Sequence, residues 1–467
     1  MEEQTTQKNA SGGHMTSTKE LKRVLDRKDL LSIAIGQTIG SGVFALVGVG
    51  IGMTGRSVSV AMLIAAVFTI MMDIPMMLVS GTVRLRGGFY TQLAFLQHKK
   101  AAGFYVIVHI ISWTALAMYA ISVSQYLLDL IGRSTINPEL VSIIGKLIAF
   151  AVLTIFYVAN LFGIQGAAKL QNAMMVCMTL GLTAFIVFGL PQVSPNYFTE
   201  DFLPSGLTGL FAAGALLTWA VGGANVIVHL GAEAKNPTKD IPVIIILATV
   251  IIAVFYSLIA VVASGVLPVA EVAGQPLSLV AAKIFPRPIY VFFIVGGAIF
   301  ALTTTLNASL GWVTKPILQA AVDGWFPPFV AKIGKRYKAP VTILTILYLE
   351  CLLPIFFGVN VDAIANLAII LTNVCFAMIC FSVANVKKVV PDLWEKSRFH
   401  VSDRLLKGLS IMGGTVCLLQ IGLLVMVGDM NWHMILSNLG ALVFALAYTF
   451  WRDRNGNVNM EISYEEA

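Results

Sequence analysis

The sequence predicts an all-α polytopic membrane protein of twelve transmembrane helices, on three observations: its composition, its recurring apolar runs and the placement of its basic residues. Of the 467 residues 57% are hydrophobic and only 12% charged, about half the charge of an average soluble domain. Apolar runs of roughly 18 to 25 residues recur along the whole length, each enough to cross a ~30 Å hydrocarbon layer as a helix. No remaining stretch is long enough for a separate soluble domain.

Taking each run bounded by Gly, Pro or charge as one helix places spans near 30–54, 58–82, 102–131, 141–164, 170–190 and 207–231. The other six fall near 241–267, 288–322, 340–358, 361–386, 405–428 and 432–451. An even number of spans puts both termini on one side. Basic residues cluster at Lys19–Lys28, Arg84–Lys100, Lys332–Lys338 and Lys387–Lys407, all on that side, against Arg56, Arg133, Lys146, Lys283 and Arg287 on the other. The positive-inside tendency makes both ends cytoplasmic. The net charge of +7 is thus a topology signal, and no nucleic-acid partner is expected. The polar N-terminus lacks the basic-then-apolar pattern of a cleaved secretion signal and reads as a cytoplasmic tail.

Two spans carry a glycine cluster in mid-helix, where each glycine costs about 1 kcal/mol relative to alanine. One is Gly36-Gln37-Thr38-Ile39-Gly40-Ser41-Gly42-Val43-Phe44 in span 1, the other Trp219-Ala220-Val221-Gly222-Gly223-Ala224-Asn225 in span 6. They occupy corresponding positions in two five-helix halves. A broken helix frees backbone N–H and C=O groups, which a membrane tolerates only around a buried cavity or ligand. N–H groups opening a half-helix suit a carboxylate, while freed carbonyls suit an ammonium or a metal cation. A ligand with both groups close together is an α-amino acid. Small residues in this spacing also let helices pack closely; it is the pairing of the two clusters that favours a binding site.

With these breaks, four separated motifs resemble the amino acid–polyamine–organocation transporters, over nearly the whole chain from about Leu30 to Arg452. Gly40-Ser41-Gly42-Val43-Phe44 resembles the family's GSGIF break, and Leu85-Arg86-Gly87-Gly88-Phe89-Tyr90 its helix 2 terminus. Glu233-Ala234-Lys235-Asn236-Pro237-Thr238-Lys239-Asp240-Ile241-Pro242 is similar to the signature following helix 6. Asn307-Ala308-Ser309 and Asp323-Gly324-Trp325-Phe326-Pro327-Pro328 resemble the ends of helix 8, with Lys315 where an arginine is frequent.

The resemblance implies a LeuT-like fold with helices 1 and 6 broken at the midplane. A cytoplasmic tail (1–28) would precede a first five-helix repeat (29–190). A second, inverted repeat (207–386), two additional helices (405–451) and a cytoplasmic tail (452–467) would follow. It also implies secondary transport of amino acids or amines across the cell membrane by alternating access. Carried over by position, the amides around Gly40, Ser41 and Gly42 would hold a substrate carboxylate, and the carbonyls of Thr38, Trp219 and Gly222 its ammonium. The Trp219 ring would cover the substrate. Gly223, Ala224, Asn225, Ala308 and Ser309 would shape the side-chain pocket.

The sequence departs from that pattern in helix 5. Counting six residues from Asn172, the position at which many relatives place a lysine is Met178, and a thioether carries no proton. Three coupling modes stay open: exchange or uncoupled uptake, sodium held by hydroxyls such as Thr303, Thr304 and Thr305, or protonation elsewhere. Ionisable residues within spans are costly and hence functional candidates. Asp73 is foremost, expected to pair with Lys315 or a broken-helix donor; His109 and His229 titrate in a useful range. Glu233 is a candidate gate residue, through Arg84, Arg86 or Lys235. Asn225, at a position acidic in several relatives, disfavours a cationic side chain, so neutral amino acids are the first choice and amines or polyamines the alternative.

The five cysteines (Cys177, Cys351, Cys375, Cys380, Cys417) lie within apolar runs, without a CxxC pair or a histidine at ligand spacing. Neither a metal site, nor a cofactor, nor a disulfide-linked accessory subunit is expected; a monomer or weak oligomer is. No GxSxG, HExxH or GKS/T pattern supports an enzyme. The short loop between spans 6 and 7 disfavours the major facilitator fold.

Overall fold

The computed structural model describes residues 14–15, 25–85, 88–132, 137–161, 167–230, 234–334, 339–427, 432–456, 458–460 and 463–466. Hydrocarbon offers the backbone no hydrogen-bond partner, so helices carry nearly the whole chain.

The first half comprises α1 (Arg27–Thr38), α2 (Ser41–Thr54), α3 (Val58–Ser80), α4 (Gly88–Leu96), α5 (Lys99–Ser112), α6 (Leu116–Leu130), α7 (Pro138–Leu161) and α8 (Ala167–Gly189). Then come α9 (Gly206–Val221), a 3₁₀ segment Ala224–Leu230, and α10 (Pro237–Gly265). Short helices α11 (Val269–Val272), α12 (Ser278–Ile284) and α13 (Arg287–Phe292) lead through a π-helical stretch, Phe293–Ile299, into α14 (Phe300–Trp312) and α15 (Thr314–Val322). The chain ends with α16 (Val341–Phe357), α17 (Val361–Ser382), α18 (Val386–Val389), α19 (Pro391–Lys396), α20 (Asp403–Val427) and α21 (Trp432–Asn455).

Among the described residues nine helical stretches are long and apolar enough to cross a membrane, and α9 and α16 are shorter apolar helices. One stretch, Gly42–Ser80, runs 39 residues, about twice what a single crossing needs; the 3₁₀ turn Gly55–Ser57 divides it. Another 3₁₀ turn, Trp113–Ala115, bends the predicted third span between α5 and α6. The bend has no proline or glycine of its own, whereas the π-helical stretch contains the Gly296-Gly297 pair. The short helices α11, α12, α18 and α19 lie outside the predicted spans, each beside a proline.

Both predicted breaks are present. Thr38 ends α1 and Ser41 opens α2, with Ile39 and Gly40 out of helical geometry between them. Val221 ends α9, and Gly222 and Gly223 form the turn before the 3₁₀ segment. Tyr256 of α10 bridges the first break: its hydroxyl donates to the Thr38 carbonyl at 2.9 Å and accepts from the Gly40 N–H at 3.3 Å. Asp26 caps the other end of α1 in a reciprocal box with Asp29.

The helices enclose one large apolar cluster running from Val43 through Leu217 to Leu371. Within it α3 packs against α9, α10 and α20, and α17 against α5 and α20. The turn between α2 and α3 is fixed by Arg56, buried, which donates to the carbonyls of Asn196 and Glu200 at 3.0 Å each. Both chain ends meet at the opposite end of α3: His14–Met15 runs parallel to Ser463–Tyr464, and Val83–Leu85 pairs antiparallel with Tyr464–Glu466.

Replacing Tyr256 by phenylalanine strips the break of its bridging hydroxyl and leaves the buried Thr38 carbonyl and Gly40 amide unpaired. A loss of about 1–3 kcal/mol is expected, read as a lower melting temperature of the purified protein. An unchanged melting curve would show that the break holds itself.

Candidate functional site

The two broken helices come together through glycine. A Cβ on Gly42 would lie 2.3 Å from the Cα of Ala220, and one on Gly223 would lie 2.8 Å from the Cα of Thr38. The backbones of α2 and α9, and of α1 and the turn after α9, therefore touch where any side chain would hold them apart. The close-packing use of the glycines and their role at the breaks are both present, at the same residues.

Beside this crossing lies a cavity of about 120 Å³. Of the predicted substrate-binding residues, Thr38, Gly42, Trp219, Gly222, Gly223, Asn225 and Ser309 line it. Ala224 is buried but faces the cluster around Leu30 and Ile227 instead. Gly40 turns its amide to Tyr256, and Ser41 stands at the first position of α2. The first N–H groups of a helix have no intrahelical acceptor, so α2 points an electropositive end towards the cavity.

Of the remaining walls, the sequence singled out Asp73 and, as a hydroxyl candidate for sodium, Thr305. Thr69, Met72 and Asp73 come from α3, Trp113 and Tyr119 from the bent third span, Trp312 from α14, and Thr372, Asn373 and Phe376 from α17. The other apolar and hydroxylic side chains look like ordinary core in a sequence. The Trp113 ring packs edge-on against Trp312, centroids 4.7 Å apart, and lies 5.6 Å from Trp219. The Trp219 indole donates to the Tyr119 hydroxyl at 3.0 Å.

Asp73 is buried. It does not pair with Lys315, which is exposed on α15. Its Oδ1 accepts from the Asn225 side-chain amide at 3.3 Å, so the broken-helix donor is the partner. Its Oδ2, and the Thr69 hydroxyl one turn earlier, have no hydrogen-bond partner among the described residues. Both residues line the cavity.

The hydroxyls offered as sodium ligands bond back to their own helix. Thr303 donates to Ile299 at 2.7 Å, and Thr304 and Thr305 donate to Ala301 at 3.1 and 3.0 Å. Met178 is buried in the apolar cluster with Leu182 and Phe185. His109 stacks on Tyr105 and lies against the Val313 carbonyl. It borders a smaller cavity of about 50 Å³ that shares Trp113, Asn225 and Phe376 with the larger one. Glu233 and Arg86 fall outside the described residues, and the His229 and Arg84 side chains are likewise not described.

A vestibule of about 810 Å³ opens among α2, α6, α7, α17 and the segment Ala273–Pro276. It lies at the end of α2 away from the two tails. Its floor and the cavity roof use neighbouring residues of the same helices: Phe44 and Gly42 on α2, Ile121 and Tyr119 on α6, Asn366 and Ile369 on α17. Trp219 and Tyr119, joined by their hydrogen bond, line the smaller cavity and not the vestibule.

A helical bundle built for the membrane, with a largely apolar cavity where two helices break, is the architecture of a multi-pass transport protein. The chain belongs to the amino acid permease family, whose model matches residues 25–460. It is 26% identical over 442 residues to the branched-chain amino acid permease BcaP of Bacillus subtilis, covering 89% of this chain and 92% of the relative. The methylthioribose transporter of the same organism is 23% identical over 406 residues, covering 83% and 85%. The vacuolar cationic amino acid transporter 2 of Arabidopsis thaliana is 27% identical over 411 residues, covering 80% of this chain and 61% of the relative.

The Gly42–Ala220 approach makes added bulk at Gly42 a matter of folding as well as of ligand binding. Because the neighbour is backbone, Gly42→Ala is expected to lower the melting temperature by several degrees, and Gly42→Leu to reduce folded yield severalfold by size-exclusion chromatography. A Gly42→Leu protein of normal yield and stability would show that α2 and α9 separate at little cost.

Proposed function

We propose that this protein is a secondary transporter that moves neutral L-α-amino acids across the cell membrane by alternating access around the two broken helices. The observation that carries this reading is the meeting of both breaks at one cavity. The amides at Ser41 and Gly42 would receive the substrate carboxylate at the positive end of α2. The carbonyls of Trp219 and Gly222, at the open end of α9, would receive its ammonium. Thr38 contributes through the lone pair that Tyr256 leaves free. A LeuT-like arrangement of twelve spans, with both termini in the cytoplasm, fits the order of the helices, the two breaks and the meeting of the tails at one end.

A neutral substrate fits a cavity with mostly apolar walls and a single acidic residue already engaged with Asn225. The relative named as a branched-chain permease supports it. A second reading, a cationic side chain, is favoured by the free oxygen of Asp73 beside three tryptophans and by the relatives named as cationic amino acid transporters. Trp219 and Tyr119 form the barrier towards the vestibule in either case.

Two measurements test this. In a thermal-stabilisation screen of neutral, cationic and acidic amino acids and of polyamines, neutral amino acids are expected to raise the melting temperature. A ligand at a hundred times its Kd adds about 2.7 kcal/mol. Stabilisation by polyamines alone would overturn the amino acid reading, and stabilisation by lysine-like ligands alone would select the second. Tyr119→Phe, which removes one bond of about 1 kcal/mol from the barrier, is expected to speed release of bound substrate roughly fivefold. An unaltered release rate would place the barrier elsewhere.

A further inference from the structure

We infer that Asp73 is a proton-binding site within the transport cavity, and that the proton it takes up travels with the substrate. The inference rests on the neutral amino acid reading above and supplies its coupling ion.

Asp73 lies in the last third of α3 with 2% of its surface exposed. Asn225 satisfies Oδ1, while Oδ2 has no partner among the described residues and belongs to the wall of the cavity. An unpaired ionised carboxylate out of water costs several kcal/mol, and proteins meet that cost with a counter-charge or a proton. Among the described residues no charged side chain pairs with Asp73, and Arg56, at the opposite end of α3, is bonded to the Asn196 and Glu200 carbonyls. Helices α2 and α9 carry no titratable side chain. From α10 the nearby groups are the Tyr256 phenol, already bonded at the break, and Lys239 and Asp240 in the first turn. From α17 comes the Cys380 thiol, donating to the Met72 carbonyl at 3.3 Å, and from α20 the neighbouring Cys417 thiol and the neutral Gln420. None of the ion pairs among the described residues involves Asp73.

A cationic substrate would neutralise Asp73 only while bound, yet a transporter also passes through an empty state with the same carboxylate in the same wall. A proton serves both. It also places the coupling charge in this chain where Met178 cannot hold one. The chemistry is a single transfer. A hydronium ion from the vestibule side gives its proton to Oδ2 and leaves as water. When the cavity opens to the other compartment, the carboxylic acid gives the proton to water, which leaves as hydronium, and the carboxylate is restored. No other bond forms or breaks.

The test uses the full-length protein in proteoliposomes with a pH-sensitive dye inside and, outside, a neutral amino acid that stabilises the wild type. Wild-type uptake is expected to acidify the lumen, and an inward proton gradient to drive accumulation of up to about tenfold per pH unit for one proton per substrate. Asp73→Asn, which keeps the shape but holds no titratable proton, is expected to lose both signals; Asp73→Glu is expected to restore the dye response. Should the asparagine variant fail to reconstitute, substrate affinity of the wild type and of Asp73→Glu against pH decides. A linked proton makes affinity fall by up to about tenfold per pH unit on the alkaline side, and a flat profile in both overturns the inference. Wild-type uptake without acidification, or an asparagine variant that still couples, overturns the proton site and leaves amino acid transport standing. Vesicles that take up no amino acid under any gradient overturn both.

Discussion

Every part of this protein is arranged around the cost of an unpaired peptide group in hydrocarbon. Two helices stop in mid-membrane, and each interruption frees donors and acceptors that lipid does not satisfy. At the first, the Tyr256 hydroxyl takes both a carbonyl and an amide from the two sides of the gap. At the second, the N–H groups of Gly222 and Gly223 bond back to the carbonyls of Thr218 and Val221 at the end of α9. What these local bonds leave over faces a cavity, and the polar ends of two helices thereby become a site. The long straight helices around them, α3, α10 and α17 above all, supply the rigid frame that keeps the gap from closing.

One side of the cavity is walled by aromatic contact. Trp113, Trp219 and Trp312 form a continuous wall, and the indole of Trp219 is tied to Tyr119. Stacking of this kind is strong enough to exclude water and weak enough to be remade, each pair contributing about 0.5–1.5 kcal/mol beyond its buried area. The glycine crossings are different. They are backbone against backbone, and they tie α1 and α2 to the second broken helix as a unit.

Much of this was legible in the sequence, because hydrophobic length and mid-helix glycine are local signals. The membrane class, the two breaks and six cavity residues within the glycine clusters follow from them, and Ser309 from the family resemblance. What was not legible depends on how distant segments meet. Tyr256 is one aromatic among many in an apolar run, and nothing local says that its hydroxyl reaches Thr38. Trp113, Tyr119 and Phe376 have the appearance of packing residues until α6 and α17 are set beside the break. Asp73 was conspicuous by its charge, but its partner was not. Lys315 has the right sign and lies in another place, whereas Asn225 lies across the cavity wall. Thr303 to Thr305 each donate to a carbonyl of their own helix, a bond that composition does not show.

The glycine crossing also bears on how such a protein diverges. Gly42 and Gly223 line the cavity, yet they are fixed by the backbones pressed against them, so this part of the wall has no freedom to follow a new ligand. Ser309, Ile369, Thr372 and Phe376 line the same space from helices that do not cross there. Selection for a differently shaped solute would therefore act through these side chains on α14 and α17, leaving the broken helices as an unvarying half of the pocket that grips whatever all the ligands have in common.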